Sequence, residues 1–115
     1  MKFLIRAKIP TEAGNVMVTD PDLLKNLEDY MNKVKPEAAY FFENDGNRVM
    51  AFITEMHSAD QIPALAEPLF QGMDANVEFH PVMNFDELKK GLVLFQKGTF
   101  SSVIPRQQIQ YQMNQ

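Results

Sequence analysis

His80 is the side chain in this sequence best suited to proton chemistry, and it stands two positions after Glu78. An imidazole titrates close to neutral pH, so it can act as a general base or as a donor that orients a ligand. A spacing of two places both side chains on one face of a strand. The alternative is a histidine that simply hydrogen-bonds a partner chain at an interface. Arg6 and Lys8 share the same spacing. A guanidinium fork donates two bonds to a carboxylate, which suits Arg6 to an anionic ligand. It suits Arg6 equally to neutralise Glu78 across a strand pair. With two histidines, His57 and His80, and no cysteine, the chain lacks metal-ligand spacing, a thiol nucleophile and disulfides. There is no Gly-x-Gly-x-x-Gly, P-loop or Gly-x-Ser-x-Gly. No metal and no cofactor is expected, and no residue is assigned a catalytic role.

Weaker signals accompany these. Glu12, Gly14 and Asn15 follow the first apolar run, either as a loop that closes over a ligand or as a capped turn. Glu67 precedes Pro68; a proline inside a helix frees a carbonyl, and packing accounts for most such sites.

Residues 2–9 must carry Arg6, and they alternate. Phe3, Ile5, Ala7 and Ile9 fall on one face, with Leu4, Arg6 and Lys8 on the other, the pattern of a half-buried strand. Residues 10–19 read as a loop after Pro10, with Gly14-Asn15 as its turn. Asp20-Pro21 opens a helix, whose apolar stripe runs Leu23, Leu24, Leu27, Tyr30, Met31, Val34 and which Pro36 stops. Asp60 serves as cap of the next helix, which places Pro63 in the first turn; Gly72 ends it. Residues 75–83 form a strand that sends Val77 and Phe79 one way and Glu78, His80 and Val82 the other. Asn84 caps a last helix, with Glu87 completing a capping box, a stripe of Phe85, Leu88, Leu92 and Phe95, and a stop at Lys97-Gly98.

Between the first two helices, residues 37–43 and 48–56 make a hairpin about Asp45-Gly46, a pair that favours the type I′ turn. That turn pairs Glu43 with Arg48, Phe41 with Met50 and Ala39 with Phe52, and on the opposite face Phe42 with Val49, Tyr40 with Ala51 and Ala38 with Ile53. The second set is almost wholly apolar and is assigned to the helix-covered face. Glu43 and Arg48 read as a structural ion pair near the turn.

These elements give an α+β fold of βαββαβ order. Two split βαβ units predict a four-stranded antiparallel sheet in the order 4-1-3-2 with helices on one face. The domain spans residues 1–98 and includes the C-terminal helix; a polar tail occupies 99–115. The face left open then carries Leu4, Phe41, Met50, Phe52 and Val82 among the charges of Arg6, Lys8, Glu43, Arg48, Glu78 and His80. An apolar patch of that kind marks a partner surface or ligand groove. A homodimer through this face would enclose a cavity walled by Leu4, Phe41, Met50 and Phe52, with Arg6, Glu78 and His80 at its polar end.

Bulk properties narrow the function classes. At 115 residues and 45% hydrophobic content the chain can build a core without staples. Its net charge of −4 opposes non-specific nucleic-acid binding. An RNA-recognition domain shares the βαββαβ order, but its third strand needs a glycine and a first stacking ring that Arg48-Val49-Met50-Ala51-Phe52-Ile53 lacks. The opening run Met-Lys-Phe-Leu-Ile-Arg is broken by charge too early for a signal peptide, and no apolar stretch is long enough to span a bilayer. A cytoplasmic protein with neither nucleic-acid nor membrane partners is expected.

The layout resembles the dimeric α/β-barrel superfamily of ferredoxin-like proteins. Thr11-Glu-Ala-Gly-Asn15, Lys35-Pro-Glu-Ala-Ala-Tyr-Phe41, Ile62-Pro-Ala-Leu-Ala-Glu-Pro-Leu-Phe70 and Pro81-Val-Met-Asn84 also resemble a family of small bacterial proteins of uncharacterised activity, over about residues 1–93. The resemblance implies a fold and a dimer and transfers no activity. The superfamily includes cofactor-free monooxygenases, isomerases, haem-degrading enzymes and proteins with no known reaction, and fold does not choose among them. Two readings follow: a barrel that binds, and with an acid/base pair could transform, a small, partly apolar molecule, and a non-catalytic regulatory or interaction dimer. An acid/base pair in the cavity would separate them, and only His80 and Glu78 qualify.

Overall fold

The computed structural model describes residues 1–98. In chain order they form β1 (Lys2–Ile9), α1 (Thr11–Met17), α2 (Leu23–Val34), β2 (Ala38–Asn44), β3 (Asn47–Glu55), α3 (Ile62–Met73), β4 (Asn76–Pro81) and α4 (Phe85–Gln96). The fold is α+β, with one antiparallel sheet in the order β2-β3-β1-β4; counted from the other edge this reads β4-β1-β3-β2. The chain divides into two compact units, Met1–Val82 and a second that starts at Met83. The sheet and α1–α3 belong to the first, and α4 is the described part of the second. The polar tail expected at 99–115 lies outside the described residues.

Local chemistry accounts for most boundaries. Asp45 and Gly46 both have positive φ, 54° and 80°, as a type I′ turn requires, and the hairpin register follows from it, Asn44 opposite Asn47 through to Ala38 opposite Ile53. The Asp20 carboxylate accepts the Asp22 N–H at 2.9 Å just before α2 begins. Lys35 leaves α2 in the left-handed region at φ 51°, and Pro36 bars any continuation. Asn84 and Glu87 exchange the two bonds of a capping box at 2.8 and 3.1 Å.

Three boundaries differ from expectation. Residues 11–17 form α1 rather than a loop, because the Gly14 N–H reaches back to the Pro10 carbonyl at 2.9 Å and closes a helical turn. Ser58, not Asp60, provides the cap: with Gln61 it closes a capping box over a 3₁₀ turn at Ala59–Gln61, and α3 continues with Pro63 in its first turn. That intervening turn removes the clash that would bar Ser58 from capping an α-helix directly. Gly72 stays helical, and Asp74, left-handed at φ 52°, ends α3.

The core lies between the sheet and α1–α3. Ile5, Ala7 and Ile9 from β1 meet Met50 and Phe52 from β3, with Tyr30 of α2 and Leu69 of α3 above them. Tyr30 contacts Phe52 edge-on, ring centroids 5.9 Å apart at 81°, a favoured aromatic geometry. Its hydroxyl donates to the Leu65 carbonyl at 2.7 Å, which ties α2 to α3. Burial pushes the Tyr30 phenol well above its ordinary pKa. Thr54, buried on the same side, donates to the Val34 carbonyl at 3.2 Å.

The core overturns the facing assigned to the hairpin. β1 pairs with β3 so that Ile5 stands opposite Phe52 and Ala7 opposite Met50. Residues opposite one another share a face, so Met50, Phe52 and Thr54 lie on the helix side with Ile5. Phe41, opposite Met50, and Glu43 and Arg48 go with them. The set Ala38, Tyr40, Phe42, Val49, Ala51 and Ile53 lies on the other side. Both hairpin faces are apolar enough to be buried, so composition did not discriminate; the register against β1 did.

The Glu43–Arg48 ion pair is a second correction. The two residues are opposite in the ladder, but the Glu43 carboxylate accepts the Gly46 N–H at 3.3 Å, and Arg48 turns to Asn15 of α1.

Candidate functional site

α1, α2 and α3 all pack on one side of the sheet, and within the first unit no helix covers the other. Its residues follow from the ladders. In β1, Leu4, Arg6 and Lys8 stand opposite His80, Glu78 and Asn76 of β4. On the other flank they meet Ile53, Ala51 and Val49 of β3, and beyond those lie Ala38, Tyr40 and Phe42 of β2. The face is therefore zoned. Its β4–β1 half is charged, and its β3–β2 half is apolar. Tyr40 is 70% exposed and Phe42 45%, while Val49, flanked in register by Lys8 and Phe42, is buried.

The charged half has one centre. Glu78 lies 3.7 Å from an Arg6 terminal nitrogen and 3.2 Å from His80 Nε2. The first is an ion-pair contact too long for a hydrogen bond; the second is within hydrogen-bond range, with donor and acceptor set by the histidine tautomer. All three groups are part-exposed, so each pair contributes little to stability. When Nε2 donates to Glu78, Nδ1 is left as an acceptor on the open side. The neighbouring cations of β1 are also engaged, Lys8 with Asp45 at 3.4 Å and Lys2 with Glu37 at 3.1 Å. The strand that seemed to offer free positive charge is thus neutralised along its length.

Of the residues expected to form the site, Leu4, Arg6, Glu78 and His80 come together on this face. Phe41, Met50 and Phe52 do not: Phe52 is 1% exposed beneath Tyr30, Met50 is buried beside it, and Phe41 stands at the sheet edge on the helix side. Tyr40, Phe42 and Ile53 supply the apolar surface in their place. The missing signal was pairing across the sheet. Once Ile5 is taken as core, its partner in β3 must be core too, and the alternate hairpin residues must face outward. The correction also removes Phe52 as a stacking platform for a nucleic-acid base.

Among the described residues, no group of three or more His, Cys, Asp or Glu side chains is placed to hold a metal ion, and no helix is long and apolar enough to cross a membrane. No protein-family model matches the chain, and no curated protein matches it.

Proposed function

We propose that this chain is a ferredoxin-like, dimeric α/β-barrel protein of the cytoplasm. Two copies pair through the uncovered sheet face and hold a small, partly apolar molecule between their sheets. The observation that carries this reading is the exposure of Tyr40 and Phe42 beside Leu4 and Ile53, on a face that α1–α3 leave bare. Apolar surface concentrated in this way marks an interface or a ligand groove. Within the pair, Leu4, Tyr40, Phe42 and Ile53 form the walls, and Arg6, Glu78 and His80 form the polar end that orients the ligand.

The same cluster supplies the acid/base pair of this face: Glu78 lies 3.2 Å from His80 Nε2, and the same carboxylate neutralises Arg6. A regulatory or interaction dimer is the second reading, and this shared carboxylate is what favours it.

Light scattering at micromolar concentration tests the pairing. A dimer that buries about 1,000 Å² or more is expected, and Tyr40→Asp should return it to monomer by placing an unpaired charge in the interface. The monomer should keep its fold, because Tyr40 is exposed in the isolated chain. A monomeric wild type ends the proposal. For the ligand, small aromatic acids should shift the NMR signals of Leu4 and Tyr40 on this face more than their neutral esters do, and that preference should fade in Arg6→Ala. Equal shifts in both proteins remove Arg6 from the site.

A further inference from the structure

Arg48 differs from every cation of β1. Lys2, Arg6 and Lys8 each lie within ion-pair distance of a carboxylate. Arg48 has none among the described residues. Its cross-strand partner Glu43 is engaged by the Gly46 N–H. Both terminal nitrogens of Arg48 instead donate to one neutral acceptor, Asn15 Oδ1, at 3.2 Å each. A guanidinium carries five N–H donors in a planar fork, so most of its capacity is unspent. It also lacks the charged acceptor for which that fork is best matched.

Beside it is a pocket of about 190 Å³ at the hairpin end of the sheet, distinct from the charged cluster of Arg6, Glu78 and His80. Ile9, Met17, Leu27, Phe41, Met50 and Met73 line it, and Arg48 is the one charged residue in its wall. A cavity of about 150 Å³ with aliphatic and aromatic walls accepts a benzene ring, so this one has room for a ring and one small substituent. Three methionine thioethers adapt their shape and make favourable contacts with ring edges. Gly14 makes the arrangement possible. It is buried in α1, and a Cβ there would overlap the Arg48 guanidinium.

We propose that Arg48 and this pocket form a ligand site for a small aromatic carboxylate. The ring enters among the methionines, and the carboxylate takes the guanidinium fork. Phe42 and Val49 also border this pocket, so it touches the edge of the dimer face, but its charged anchor is Arg48, which faces the helices, and not the Arg6 cluster of the bare face.

The experiment follows the methionine methyl signals of the full chain by NMR during titration with benzoate, benzamide and acetate. Benzoate should shift Met17, Met50 and Met73 saturably. Benzamide should bind more weakly, and acetate should leave the methyls unmoved. Arg48→Gln should weaken benzoate by about tenfold or more, the loss of a charge-assisted bond pair, and leave benzamide unchanged. Gly14→Ala, which pushes the guanidinium aside within an intact helix, should reproduce that loss. Arg6→Ala should leave the benzoate shifts of these three methyls unchanged. Unmoved methyls, or benzoate affinity equal in wild type and both helix-side variants, overturns the site. Loss in Arg6→Ala alone assigns the acid to the uncovered face, which overturns this proposal and leaves the dimer reading standing.

Discussion

Phe52 and Ile53 are neighbours in β3 and face opposite ways. Phe52 enters the layer between the sheet and α1–α3, where Tyr30 closes over it. Ile53 stands between Leu4 and Ala38 on the side that α1–α3 leave bare. Hydrophobicity does not separate them, since both would suit a core. What separates them is what lies above: two helices tied together by the Tyr30–Leu65 hydrogen bond on one side, and within the first unit no helix on the other. An apolar face that α1–α3 leave bare is the kind of surface that a partner covers, whereas an apolar face under helices needs none.

The largest effect should come from truncation on the covered side. Phe52→Ala should cost about 3–5 kcal/mol, a fall in melting temperature of about 15 °C or more. Ile53→Ala should cost about 1 kcal/mol in a monomeric background such as Tyr40→Asp, because less surface leaves water there. Equal losses at the two positions in thermal melts would break the comparison.

Tyr30 gives an intermediate effect with a pH signature. Tyr30→Phe should cost about 1 kcal/mol at neutral pH, one hydrogen bond. Burial raises the folded pKa of this phenol above its unfolded value, which lies near 10. The neutral hydroxyl therefore stabilises the fold fully below about pH 10, and that contribution is lost as pH rises from there toward the folded pKa. Urea midpoints measured at pH 7 and about 10.5 should fall less steeply in Tyr30→Phe than in wild type. Parallel curves would mean that water reaches the hydroxyl.

The smallest effect belongs to a pair that the ladder sets opposite but the side chains do not form. Glu43→Gln should change stability by less than about 0.5 kcal/mol, because the amide oxygen can still accept from Gly46. A larger loss in denaturant titration would restore the Glu43–Arg48 ion pair and remove the premise that Arg48 is free for a ligand.

Much of the local order was legible in the residues. The alternation of residues 2–9 gave β1 its bounds and its faces. Asp45-Gly46 determined the turn and with it every cross-strand pair of the hairpin, because the type I′ geometry admits one register. Asn84 and Glu87 determined the start of α4. Arg6, Glu78 and His80 were legible as a group because each sits on a strand whose inward residues are plainly more apolar. Three things were decided only by the tertiary structure. Which hairpin face meets the helices depended on pairing with β1, a contact between distant segments that sets Ile5 opposite Phe52, since a strand with two apolar faces carries no inward signal of its own. The helix at Thr11–Met17 formed where a buried glycine was needed against Arg48, and in isolation the same glycine reads as a turn. The direction of Arg48 itself was set by α1, which brings Asn15 Oδ1 within 3.2 Å of its guanidinium while Glu43 turns to the Gly46 N–H. A side chain of that length chooses among all acceptors within its reach, and the fold decides which ones those are.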